Sequence, residues 1–159
     1  MKKALVVYFS ASGITAEVAR KLADTLQTET FKIAPVKPYS DEDLDWTNGN
    51  SRSSVEMRDM TSRPDIVDIK APIADYDIIF IGFPIWWYRE PSVVDTFLEQ
   101  YDFKGKTIVP FCTSGGSGIG ETSKRIDTLT GNVAKVDAGK KFSVSVSAQE
   151  LKTWAEQFV

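Results

Sequence analysis

Apolar residues run unbroken from Leu5 to Phe9, and again through Asp77 to Phe83 after the first residue. Runs of that length, apolar at both odd and even positions, predict strands buried on both faces of a parallel sheet. Elsewhere the spacing changes to three and four. Ile14, Val18, Ala19, Leu22, Ala23 and Leu26 predict a helix over about Gly13 to Gln27. Thr30 to Ile33 alternates polar and apolar and stops before Pro35, as an edge strand does. Pro91 reads as the first residue of a helix whose buried stripe is Val93, Val94, Phe97, Leu98 and Tyr101. Thr107 to Cys112 predicts a further strand, although Pro110 cannot donate to a ladder. Ile126 and Leu129 carry a helix to a stop at Gly131. Val133 to Val136 reads as a fifth strand and Phe142 to Val146 as a short extension or late strand. Ser147-Ala148-Gln149-Glu150 is a capping box that starts a last helix with Leu151, Trp154, Ala155 and Phe158 on one face. The alternation of β and α predicts an α/β fold, a three-layer doubly wound five-stranded parallel sheet in the order 2-1-3-4-5, with residues 1–159 as one domain.

Residues 36–72 fit this scheme least. Ser40-Asp41-Glu42-Asp43-Leu44 resembles a helix start, and Trp46-Thr47-Asn48-Gly49-Asn50 breaks any long helix there. Scattered Leu44, Trp46, Val55, Met57 and Met60 would pin a polar excursion to the body. Two readings stand: a solvated excursion carrying a loose helix, or a segment of which part folds over a ligand or meets a partner.

Composition removes whole classes of function. A net charge of -3 with no clustered Lys or Arg speaks against nucleic acid. Histidine is absent, which takes away the commonest general base and most zinc ligand sets. One cysteine, Cys112, cannot pair internally, and its place at a strand end predicts a small buried hydrophobe. No apolar run is long enough to span a membrane, and Met1-Lys2-Lys3 leads straight into a strand, so the expected compartment is the cytoplasm. Any chemistry is then expected from a bound cofactor.

The candidate chemistry lies in the loops after the first, third and fourth strands, where such sheets bind ligands. Ser10-Ala11-Ser12-Gly13-Ile14-Thr15 joins a buried strand to a helix start, whose free amides favour an anion. The loop has neither the lysine of a P-loop nor G-x-G-x-x-G, so hydroxyls and amides alone would hold one monophosphate. The same residues would also serve as turn and capping residues with no ligand present. Pro84-Ile85-Trp86-Trp87-Tyr88 follows the third strand, and three consecutive aromatics in a loop cannot all point inward. Thr113-Ser114-Gly115-Gly116-Ser117-Gly118 follows the fourth, its glycines letting backbone approach a ring edge.

Tyr8 to Thr15 resembles the phosphate-binding signature of the flavodoxin-like flavoproteins, departing at Ser12 and Ile14, where flavodoxins more often carry Thr and Asn. Taken with the aromatic and glycine loops, the whole chain resembles that family, closest to a bacterial flavodoxin-like subgroup. The resemblance implies FMN as cofactor. It implies that Ser10, Ser12, Gly13, Ile14 and Thr15 bind its phosphate, that Pro84, Ile85, Trp86, Trp87 and Tyr88 flank the isoalloxazine, and that Thr113, Ser114, Gly115, Gly116 and Gly118 contact its other edge. Many flavodoxins place an aromatic in the loop after the fourth strand to cover the second ring face, and this loop offers none.

Three functions remain open on the sequence. The first is an electron carrier working between a flavoprotein reductase and an acceptor protein. The second is an NAD(P)H-dependent FMN oxidoreductase of quinones or similar small acceptors, for which Arg89 is the nearest candidate cation for a nucleotide phosphate. The third is a flavin-free α/β response or scaffold module, disfavoured because no acidic cluster ends the first strand. The carrier is the expected function.

Overall fold

The computed structural model describes residues 2–114 and 116–159. In chain order it contains β1 (Ala4–Tyr8), α1 (Ile14–Leu26), β2 (Thr30–Lys32), α2 (Arg52–Arg58), a 3-10 turn (Ile73–Asp75), β3 (Ile78–Pro84), α3 (Ser92–Leu98), β4 (Thr107–Thr113), α4 (Thr122–Leu129), β5 (Lys135–Val136), β6 (Lys140–Lys141) and α5 (Ala148–Ala155). The strands pair in parallel in the order β2-β1-β3-β4-β5, and β6 adds to β4 beside β5. This is the doubly wound α/β fold read from the alternation of elements.

Residues of the central strands divide by parity. Val6, Ile78, Phe80, Val109 and Phe111 face α1 and α5, packing on Val18, Leu22, Leu151 and Trp154. Leu5, Val7, Ile79, Ile81, Phe83 and Ile108 face α3 and α4, packing on Val93, Val94, Phe97 and Ile126. Both faces of β1, β3 and β4 are therefore dry, which is why their sequences are apolar between their ends, with Thr107 and Thr113 bounding β4. Gly82 interrupts one such run because the Phe111 ring occupies its side-chain space: a Cβ there would lie 2.2 Å from the ring.

Pro110 does sit inside β4, and the hydrogen-bonding parity explains how. Thr107 and Thr113 turn their peptide groups toward β3, with the Thr107 amide donating to the Asp77 carbonyl. Ile108 and Cys112 turn theirs the other way, accepting from Asp137 and Phe142. Pro110 shares their direction, so its missing N–H falls in the break between β5 and β6. Gly139 turns the chain there at φ 81°, so close to the Pro110 carbonyl that a Cβ would lie 2.6 Å from the oxygen.

Three local expectations need correction. Phe142 to Val146 is not a strand: β6 ends at Lys141, and the following turn drops Phe142 into the core against Trp154 at 4.9 Å. Pro91 caps α3 in an extended conformation rather than occupying its first turn. Ser40 to Leu44 does carry reciprocal capping bonds, Asp43 N–H to Ser40 Oγ and Ser40 N–H to Asp43 Oδ2, both 3.1 Å. They close one turn only, and the helix of this segment starts later, behind Ser51, whose hydroxyl accepts from the Ser54 amide. The capping box at Ser147 matches expectation on one arm, its Oγ accepting from the Glu150 amide at 3.1 Å.

Candidate functional site

The loop after β1 is shaped by its own first hydroxyl. Ser10 Oγ accepts from the Gly13 amide at 3.1 Å, and Gly13 turns at φ 94°, which aims the chain into α1. Among the described residues the amides of Ser12, Ile14, Thr15 and Ala16 find no acceptor, as the start of a helix dictates. Ser12 and Ile14 are exposed. Thr15 is buried, and its hydroxyl meets that of Thr113 at 2.7 Å. Either hydroxyl can be the donor; with Thr113 donating, the Thr15 proton is free for an acceptor in the loop.

The loop after β3 folds back on itself. Trp86 and Arg89 exchange backbone hydrogen bonds of 3.0 and 3.2 Å around Trp87 and Tyr88. Those two residues have φ of 49° and 68°, the left-handed pair that a tight turn of the I′ kind requires and that bulky side chains avoid. The turn divides the aromatic triplet. Trp86 packs inward, edge-on to Phe9 at 5.6 Å and to Tyr39 at 5.1 Å, while Trp87 and Tyr88 are thrust outward.

Behind the turn lies a buried ionic cluster that the sequence reading did not anticipate. Arg89, Glu90, Ser92 and Asp95 are all buried. Arg125 from α4 bonds Glu90 Oε1 at 2.6 Å and Asp95 Oδ2 at 2.9 Å. Arg89 reaches Asp95 at 3.4 Å and donates to the Met57 carbonyl and the Ser92 hydroxyl. Arg63 approaches from the excursion at 3.8 Å. Burial, and then the charge of Glu90, push the Asp95 carboxyl up to about 8 against the pull of the arginines. Asp95 Oδ1, buried on the other side of the carboxyl from the arginines, has no hydrogen-bond partner among the described residues. Arg89, the cation considered for a nucleotide phosphate, is thus committed to anchoring the turn.

The loop after β4 joins both others. The Thr113 carbonyl accepts from the Ile85 amide at 3.0 Å. A Cβ at Gly116 or Gly118 would meet nothing within 4 Å, and neither residue has a left-handed φ. Nothing in the fold demands glycine at either position; the space above them opens outward. Gly115 lies outside the described residues. Cys112, just before this loop, is buried, and burial pushes its thiol up to about 12, as a structural cysteine requires.

The three loops therefore meet through Phe9 with Trp86, Thr15 with Thr113, and Ile85 with Thr113. Beside them opens a crevice of about 500 Å3 lined by Ile85, Trp86, Trp87, Tyr88 and Ser117. Its other wall, Leu44, Trp46, Thr47 and Ser53, comes from the excursion, the segment for which the sequence leaves open both a solvated loop and a fold over a ligand. The signal available in the sequence was a lone tryptophan set among polar turn formers. None of the lining residues carries a charge, and among the described residues no cluster could hold a metal ion. A flat uncharged ring fits the crevice, and a monoanion fits the amides at the start of α1.

Comparison with known proteins identifies the family and the fold. The sequence matches the flavodoxin family over residues 3–158, and the chain belongs to that family. A Bacteroides eggerthii protein assigned as a flavoprotein is 42% identical, with a TM-score of 0.91 over 99% of this chain and 98% of its own. A second, from Bacteroides uniformis, is 41% identical, with a TM-score of 0.90 over 98% of each chain. A Lactobacillus acidophilus flavoprotein in complex with FMN shares the fold at 20% identity, with a TM-score of 0.72 over 98% of this chain and 99% of its own. No curated protein matches the sequence. Among the described residues no helix is long and apolar enough to cross a membrane.

Proposed function

We propose that the chain binds one FMN at the carboxyl ends of β1, β3 and β4 and works as an electron carrier between a flavoprotein reductase and an acceptor protein. The observation that carries the reading is the juxtaposition of free, cation-free amides at the start of α1 with an uncharged aromatic crevice. The phosphate sits on the amides of Ser12, Ile14 and Thr15 with the hydroxyls of Ser10, Ser12 and Thr15. The ring lies against Trp87 and Tyr88, with the backbone of Gly116 and Gly118 along its edge. Bound FMN supplies the electron-transfer chemistry, and the chain supplies position and a dry wall. Burial of Arg89 in its ionic cluster favours the carrier over the NAD(P)H-dependent quinone reductase, because it removes the cation considered for a nucleotide phosphate.

The test has two stages. The purified protein should be yellow and release FMN on heating, and Ser12→Ala should weaken FMN while leaving riboflavin affinity unchanged. Equal losses for both flavins would remove the phosphate assignment. In stopped flow a flavoprotein reductase should reduce the protein readily and NADH or NADPH slowly. Fast, saturable reduction by either nucleotide with efficient quinone turnover would make the reductase the function.

A further inference from the structure

The loop after β4 leaves one face of the proposed ring without an aromatic, yet the crevice has a fourth side. That side is the excursion between β2 and β3. Trp46 is 72% exposed and, with Trp87, has no aromatic partner among the described residues, whereas Trp86 and Trp154 are both packed among rings. A large apolar side chain turned into a crevice and left unpacked is an open half of a stacking pair.

The backbone that presents Trp46 is braced. Asp45 Oδ1 accepts from the Thr47 amide at 3.0 Å, and the Asn48 amide donates to the Asp45 carbonyl at 3.2 Å, closing the turn around Trp46. The Ser53 amide donates to the Asp43 carbonyl at 3.0 Å, tying the turn to α2. Arg52 then bonds the Lys37 carbonyl at 2.7 Å and lies over the Tyr39 ring at 3.8 Å, and Tyr39 packs on Phe9 and Trp86 beneath the aromatic loop. A chain of contacts thus fixes Trp46 relative to Trp87 and Tyr88.

We infer that the turn at Leu44–Thr47 is the second wall of the flavin site, with Trp46 stacking on the isoalloxazine face that the loop after β4 leaves bare. The inference rests on the FMN reading above. The occupant is the flavin ring because the lining on both sides is uncharged and includes Ser117, set between two glycines at which an added methyl would meet open space. The proposed contact is to the ring and not to the phosphate, which sets what the variants should do.

In the full-length protein, Trp46→Ala should weaken FMN and riboflavin by the same factor, on the order of 10- to 100-fold by analogy with bases stacked on aromatic side chains. Fluorescence of the bound flavin should rise, Trp46→Phe should recover most of the affinity, and the unfolding midpoint of the apoprotein should not move. Unchanged affinity and fluorescence in Trp46→Ala would overturn the inference while leaving FMN binding by the parent intact. So would unchanged flavin binding with slower reduction by the flavoprotein reductase, since Trp46 would then belong to a docking surface. A parent protein that takes up no flavin at all would instead sink the cofactor reading on which the inference stands.

Discussion

The turn at Trp87 and Tyr88 makes a prediction that runs against ordinary substitution rules. Two bulky residues in the left-handed region cost roughly 1 to 2 kcal/mol each relative to right-handed backbone. The turn persists because Arg89 and Glu90, immediately behind it, are locked in the ionic cluster, and Trp86, immediately before it, is packed on Phe9 and Tyr39. Tyr88 is 77% exposed, so its side chain can be removed with little disturbance of the core. Tyr88→Ala and Tyr88→Gly lose the same phenol and differ only in backbone preference. Glycine relieves the roughly 1 to 2 kcal/mol of left-handed strain that alanine keeps, and adds about 0.5 to 1 kcal/mol of unfolded-state entropy. The net expectation is that Tyr88→Gly is more stable than Tyr88→Ala by about 0.5 to 1 kcal/mol. At about 2 to 4 °C per kcal/mol for a domain of this size, the apoprotein Tm values should differ by roughly 1 to 4 °C, and urea midpoints should agree in sign. Both variants should weaken FMN equally, because both lack the ring. Alanine equal to or better than glycine at this position would mean that the turn is not held against its own preference and that the ionic cluster does not carry it.

Two further outcomes follow from the site and its support. The raised Asp95 carboxyl lets the folded chain hold a proton that the unfolded chain releases above about pH 4. Stability should therefore fall as pH rises through the window from about 4 to about 8, and Asp95→Asn, which keeps a neutral group there, should flatten that part of the profile in urea unfolding; an unchanged slope would refute the raised Asp95 carboxyl. Gly118→Ala should leave apoprotein stability unchanged or raise it by up to about 1 kcal/mol, because the added methyl meets open space, while lowering FMN affinity; a fall in stability matching the loss of affinity would show that the fold itself needs the glycine.

The central strands and helices were legible because burial on both faces writes itself into consecutive residues, and packing on one face writes itself at helical spacing. β5, Lys135–Val136, falls within the stretch Val133 to Val136 that reads as a strand, but the two-residue β6 carries too few side chains to write a pattern, so Phe142 to Val146 reads as its continuation on composition when only Phe142 and Val146 are buried. The three loops of the site were legible by their position after strands. Trp46 was not placed, because nothing local couples residue 46 to residue 87; the coupling runs through Tyr39 and Arg52, whose contacts exist only once the excursion has folded back. The ionic cluster was hidden for a related reason. Asp95 lies on the stripe that α3 buries, and its partners Arg125 and Arg63 come from sequence neighbourhoods that share no pattern with it.

The margins of the sheet bear on how the protein behaves in a crowded solution. Its three central strands are long, apolar and rich in branched residues, the composition that recruits further strands from other molecules when it is left open. Neither margin offers such a template. One ends in the three residues of β2, and the other is divided by the turn at Gly139 into two pairs of residues carrying the exposed lysines Lys135, Lys140 and Lys141. An incoming strand would find too few consecutive amides to pair with and a row of positive charge to bury. The break that accommodates Pro110 thus also guards the folded chain against ordered aggregation, a protection that would be weakened by replacing those lysines with β-branched residues.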